Sequence, residues 1–79
     1  HYIVVEFSKV LNLSEPEEVF IAAEGTYNVK LDGKLQFGMP ETLLLPAGKH
    51  SLNIKVWNQA TPPTIYVKGK TVNVLAGNL

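Results

Sequence analysis

Apolar and polar residues alternate strictly over much of this chain, and a repeat of two residues is the geometry of a β-strand with one face on a core. From His50 to Asn58, Leu52, Ile54 and Val56 alternate with Ser51, Asn53 and Lys55. Tyr27, Val29 and Leu31 alternate with Asn28 and Lys30 in the same way. From Ile3 to Leu13 the odd positions read Ile3, Val5, Phe7, Lys9, Leu11 and Leu13, an apolar face interrupted only at Lys9. A bend or bulge near Ser8-Lys9 is the expected remedy. Val19 to Ala23 is apolar at every position, as in a central strand covered on both sides. No window of ten or more residues keeps the spacing of an amphipathic helix, and prolines at 16, 40, 46, 62 and 63 fall at turn-like intervals. The best helical candidate is one turn at Ser14-Glu15-Pro16-Glu17.

Two turns can be read with a mechanism. Pro46-Ala47-Gly48 suits a type I turn with Gly48 in the left-handed conformation, joining a strand at Thr42–Leu45 to one at His50–Trp57. Asp32-Gly33 by itself indicates a two-residue type I′ hairpin. That loop, however, pairs Val29 with Gln36 and Asn28 with Phe37, setting polar residues against apolar ones. A three-residue loop, Leu31-Asp32-Gly33, pairs Val29 with Leu35 and Tyr27 with Phe37, and this bulged hairpin is the favoured reading, with Tyr27 and Phe37 in the core. The whole gives seven or eight short strands, an all-β antiparallel sandwich of jelly-roll or immunoglobulin-like type.

The 79 residues allow one domain spanning 1–79. Without cysteine the fold must be held by packing, and thiol and zinc-ribbon chemistry are excluded. Seven basic against seven acidic residues give no net charge, so nucleic acid and anionic membrane are not expected partners. No apolar run reaches the roughly eighteen residues of a membrane span. The only histidines, His1 and His50, belong to no ligand cluster, so neither metal nor cofactor is expected. A chain that begins at His1, without a leader pattern, reads as a piece of a longer polypeptide.

The segment Ala23-Glu24-Gly25-Thr26-Tyr27-Asn28-Val29-Lys30-Leu31-Asp32-Gly33-Lys34 resembles a recurring stretch of the β-sandwich domains of bacterial α-L-rhamnosidases, with Asp32 where an Asn is usual. Similar hairpins occur in the galactose-binding-like sandwich domains of β-galactosidase-like enzymes. Leu45-Pro46-Ala47-Gly48 with the strand to Val56, and Pro63-Thr64-Ile65-Tyr66-Val67-Lys68-Gly69, resemble the next two features of the rhamnosidase pattern, in the same order. Gln36-Phe37-Gly38 is one residue longer than the pattern's return strand. The resemblance implies a non-catalytic accessory domain of a glycoside hydrolase, with the other domains of the parent as partners and a periplasmic or secreted location. In that family hydrolysis belongs to acidic residues of a separate helical barrel.

The residues agree in lacking a catalytic set. A glycosidase needs two carboxyls about 5 to 10 Å apart across a sugar-sized cleft. The acids here, Glu6, Glu15, Glu17, Glu18, Glu24, Asp32 and Glu41, fall mostly in turns or at solvent-facing strand positions. Sugar contact is the sharper alternative. Trp57 and Tyr66 each point away from the apolar face of their strands, and if those strands are neighbours the two rings form a platform, with Asn53, Lys55 and Asn58 as polar companions for rhamnose-containing glycans. The plainer expectation is that Trp57 packs against a neighbouring domain or under the Pro62-Pro63 loop. A third reading is an immunoglobulin-like interaction domain that pairs through an edge strand.

Overall fold

The computed structural model of the chain describes residues 3–58 and 63–77, with side chains up to Asn73. Its strands are β1 (Ile3–Leu13), β2 (Glu17–Glu24), β3 (Thr26–Leu31), β4 (Lys34–Gln36), β5 (Thr42–Leu45), β6 (Gly48–Asn58), β7 (Thr64–Lys68) and β8 (Asn73–Gly77). They form two antiparallel four-stranded sheets, β1-β6-β3-β4 and β5-β2-β7-β8, called A and B below. The all-β sandwich expected from the alternation is therefore what the chain forms. Since β1 and β2 lie in different sheets, the order is not that of immunoglobulin domains, whose first two strands share one sheet.

Each sheet turns its apolar positions inward. Leu52, Ile54 and Val56 of β6, Val29 of β3 and Leu11 and Leu13 of β1 meet Val19 and Ile21 of β2, Leu45 of β5 and Ile65 and Val67 of β7, all buried. Complete burial of such side chains stabilises by about 1.5 to 3 kcal/mol each, and this replaces the missing disulfides. Tyr27 is also in the core, and its hydroxyl is shared between the carbonyls of Pro40 (2.9 Å) and Met39 (3.2 Å). Burial, followed by the nearby Glu41 charge, pushes the phenol up.

Several local expectations are corrected. There is no bulge at Ser8-Lys9, because β1 pairs with β6 in an unbroken register from Ile3↔Asn58 to Leu13↔Gly48. Ser14 to Pro16 forms no helical turn, and Glu17 already opens β2. The Asp32-Gly33 loop has two residues: Val29 pairs with Gln36 and Leu31 with Lys34, and both turn residues have positive φ (53° and 80°), the type I′ form. Turn chemistry prevails over side-chain matching here because β4 is a three-residue strand at the sheet edge, where little apolar pairing is at stake. Phe37, expected in the core, is consequently 96% exposed. Pro46-Ala47-Gly48 does join β5 to β6, with Gly48 at positive φ, but the two strands lie in different sheets, so the turn is a crossover between layers. Finally, β2 is central but covered only once: Val19 and Ile21 are buried, while Phe20 is 53% exposed.

Two polar ties fasten the connections. The Asp32 carboxylate accepts the Ser51 N–H (2.8 Å) and meets His50 Nδ1 (2.8 Å), while His50 Nε2 lies 2.8 Å from the Pro46 carbonyl. A carbonyl only accepts, so Nε2 carries a proton, and a protonated ring satisfies the carbonyl and the carboxylate at once. The Asp32 contact first, then Pro46, holds the imidazole above its ordinary value, and the His50 bond, then the Ser51 N–H, holds Asp32 below its own. At the β7–β8 connection, buried Glu17 accepts the Thr71 hydroxyl (2.6 Å) and the N–H groups of Thr71 (3.0 Å) and Val72 (3.2 Å). These donors, the Thr71 hydroxyl foremost, keep its carboxyl below the usual range although burial opposes them.

Candidate functional site

The platform of Trp57 and Tyr66 does not form. Trp57 belongs to β6 in sheet A and Tyr66 to β7 in sheet B, and each stands on the outer face of its own sheet, on opposite sides of the sandwich. Trp57 is half-buried in a row with Val4 and Thr26, its partners on β1 and β3. Asn53 shares that outer face, where its amide donates to Ser8 Oγ (2.7 Å) and Glu6 Oε2 (3.3 Å), and Lys55 lies between Glu6 and Asn28. Asn58 has the opposite parity, pairs with Ile3 and is half-buried. The Pro62 half of the loop considered as a cover for Trp57 lies outside the described residues. Apart from Val4, Val10, Trp57 and Leu35, the outward register positions of sheet A are polar or charged. This is the ordinary composition of a solvated face.

Sheet B is different. Its outer face also carries Glu18, Glu24, Thr64 and Lys68, but it brings Phe20 and Ala22 of β2, Thr42 and Leu44 of β5, and Tyr66 of β7 to adjoining positions. Ala22 lies opposite Tyr66 and Phe20 opposite Lys68, so Phe20 and Tyr66 are diagonal neighbours, about 7 to 8 Å apart by sheet geometry. Small Ala22 between them leaves the floor of an open groove of about 630 Å³, whose lining also includes Met39, Glu41, Thr42 and Gly25. Leu44 beside it is 71% exposed, and Met39 is half exposed. The wall made by Met39 and Glu41 is fixed from behind, since Tyr27 holds the carbonyls of Met39 and Pro40 and the Ile21 N–H donates to the Glu41 carbonyl (2.8 Å).

Chemically the groove offers two aromatic faces, an apolar floor and a single carboxylate, Glu41. It can pack an apolar surface or the C–H face of a sugar, and it holds no second carboxyl across from Glu41. Among the described residues no three of His, Cys, Asp and Glu converge to hold a metal ion. Tyr66 is the one predicted contact residue that lines the groove; Phe20, Leu44 and Met39 were missed. The signal for Phe20 was present, because an apolar residue between inward Val19 and Ile21 marks an apolar outer face as readily as a second covering layer.

Two comparisons bear on this geometry. The family described as "Alpha-rhamnosidase-like, bacteroidetes, N-terminal" matches residues 5–77, nearly the whole chain. No curated protein matches.

Proposed function

Because the chain belongs to the alpha-rhamnosidase-like N-terminal family of Bacteroidetes, we propose that it is a non-catalytic accessory domain of a larger rhamnosidase-like glycoside hydrolase, and that the outer face of sheet B packs against the rest of that protein. The observation that carries this reading is the contiguity of the apolar residues on the outer face of sheet B: Phe20, Ala22, Leu44 and Tyr66 adjoin there with Met39 beside them, whereas Val4, Val10 and Leu35 are scattered over sheet A. Aromatic and Met side chains around an apolar centre are the make-up of an interface core, and domain interfaces within one chain bury about 600 to 1,500 Å². The balanced charge fits such packing, since no long-range field favours a charged ligand. Catalytic carboxyls would come from the remainder of the enzyme, as the groove has only Glu41.

The competing reading, sugar contact at Phe20 and Tyr66, uses the same surface and is separated from the first by experiment. Phe20→Lys and Leu44→Lys are introduced into the 79-residue chain and into the full-length parent enzyme. Docking predicts an unchanged unfolding midpoint for the isolated chain and, in the parent, faster proteolysis at the junction and a lower inactivation temperature. A parent that keeps both properties in both variants would refute docking. The isolated chain is also titrated with rhamnose and rhamnose-containing oligosaccharides while the ring resonances of Phe20 and Tyr66 are followed by NMR. Saturable shifts at millimolar sugar would replace docking with carbohydrate recognition; flat resonances leave docking as the account of this face.

A further inference from the structure

Lys9 is the residue whose position the fold leaves unexplained. It sits on the inward side of β1, opposite fully buried Leu52, in a strand that has no bulge to turn it outward. Its side chain is nevertheless exposed. The setting supplies a reason. β1 is the end strand of sheet A, and among the described residues its second edge pairs with nothing. That edge runs the eleven residues from Ile3 to Leu13, about 37 Å at strand rise, with no Pro or Gly to interrupt it. Ile3, Val4 and Val10 are exposed along it, Val10 by 59%, so the strand is long, apolar and rich in β-branched residues. Such an edge is a template for another strand.

The nearest copy of a matching strand is β1 of a second molecule. In full antiparallel overlap, Ile3 meets Leu13, Val5 meets Leu11, Phe7 meets Lys9 and Ser8 meets Ser8, so the core-facing side of the joint is apolar except at Lys9. By two-fold symmetry Lys9 appears there twice. Joining the two sheets would close the edge over which each ammonium reaches water and leave it against the partner's Phe7, a desolvation with no compensating anion on that side. A shift of the register by two residues in one direction sets Lys9 directly against Lys9, which repels. In the other direction it sets Lys9 against Val5 and shortens the overlap.

We infer that Lys9 keeps the β1 edge of sheet A from pairing with the β1 edge of a second copy of this chain. The side chain is long enough to lie along the apolar strand and still hold its charge in water while the edge is open, so it costs the monomer little and the dimer much. The partner it excludes is specific: an antiparallel β1, not an arbitrary apolar surface. The inference is independent of the docking role of sheet B, which lies on a different face.

The test uses the 79-residue chain with Lys9→Val, which supplies the missing apolar residue, and Lys9→Arg, which keeps the charge. Sedimentation equilibrium should show the parent chain and Lys9→Arg as monomers at concentrations where Lys9→Val is a dimer, with self-association at least about tenfold tighter. The chain has no cysteine, so a single Ser8→Cys reports the register. In the Lys9→Val background it should form an intermolecular disulfide, whereas Asn28→Cys on interior strand β3 should not. A Lys9→Val chain that stays monomeric would overturn the inference. So would equal association of the Arg and Val variants, or association without the Ser8 cross-link, which would assign it to another surface.

Discussion

Gly25 is the only residue between β2 and β3, so the chain passes from sheet B to sheet A in a single step. Its φ is +123°, and a Cβ built there would stand 2.6 Å from the Trp57 carbonyl oxygen and 3.1 Å from Val56 Cγ1. That oxygen belongs to the backbone of β6, which is paired on one side to β1 and on the other to β3, so it has no easy way to retreat. Gly25→Ala therefore carries two costs. Holding an L-residue at this φ costs about 1 to 3 kcal/mol, and the displacement of packed backbone adds about 1 to 3 kcal/mol. A domain of this length has about 4 to 12 kcal/mol of stability in all, so at the middle of both ranges the substitution removes about half of it. Gly33→Ala is the control, because Gly33 also has positive φ (+80°) but nothing within 4 Å of its would-be Cβ. It should cost about 1 kcal/mol, from left-handed backbone alone. At about 4 to 8 °C per kcal/mol, thermal unfolding should place Gly33→Ala about 4 to 8 °C below the unsubstituted chain and Gly25→Ala at least about 8 °C and centrally about 24 °C below it. Urea unfolding at constant slope gives the same order. Equal shifts for the two variants would refute the argument, since both carry positive-φ strain but only the methyl at position 25 meets packed backbone.

Two further outcomes concern pH. The His50 pKa is raised, so its contribution is complete below the ordinary value of 6.5 and is lost as pH rises through the raised folded value; Asp32 is depressed, so its contribution is present above 3.8 and is lost as pH falls through its lowered value. The midpoint of the unsubstituted chain should then decline as pH rises from 6.5 through the raised folded value and that of His50→Asn should not, and parallel curves would show that the tie carries no linkage. Glu17 contributes above 4.5 and loses its contribution as pH falls through its depressed folded value. Thr71→Val removes the first of its donors, and the Glu17 carboxyl followed by NMR should titrate at higher pH; an unmoved value would assign the whole effect to the two backbone N–H groups.

Alternation made the inward residues of β1, β3, β6 and β7 readable from the sequence, because parity within one strand is a local property. Partnership between strands is not. Thr42–Leu45 and His50–Trp57 look like the arms of a hairpin across Pro46-Ala47-Gly48, yet nothing in either segment says that one belongs to sheet B and the other to sheet A. The same gap separated Trp57 from Tyr66, whose parity was read correctly and whose sheets were not known. At Asp32-Gly33 the turn residues carried the right answer, and the matching of apolar with apolar residues across the hairpin pointed away from it. The ties of Glu17 to Thr71 and of Asp32 to His50 join residues 54 and 18 positions apart, with no spacing that marks them as partners.

The pairing of β1 with β6 alone has a consequence for synthesis. Ile3 meets Asn58, so β1 leaves the ribosome well ahead of the strand it pairs with. At about 5 to 20 residues per second the interval is about 3 to 11 seconds. During that time an apolar strand with both edges open is available to any nascent chain nearby, and β3, which must also wait for β6, cannot shelter it. The earliest-made strand of sheet A is thus the one whose only partner, β6, comes latest within that sheet.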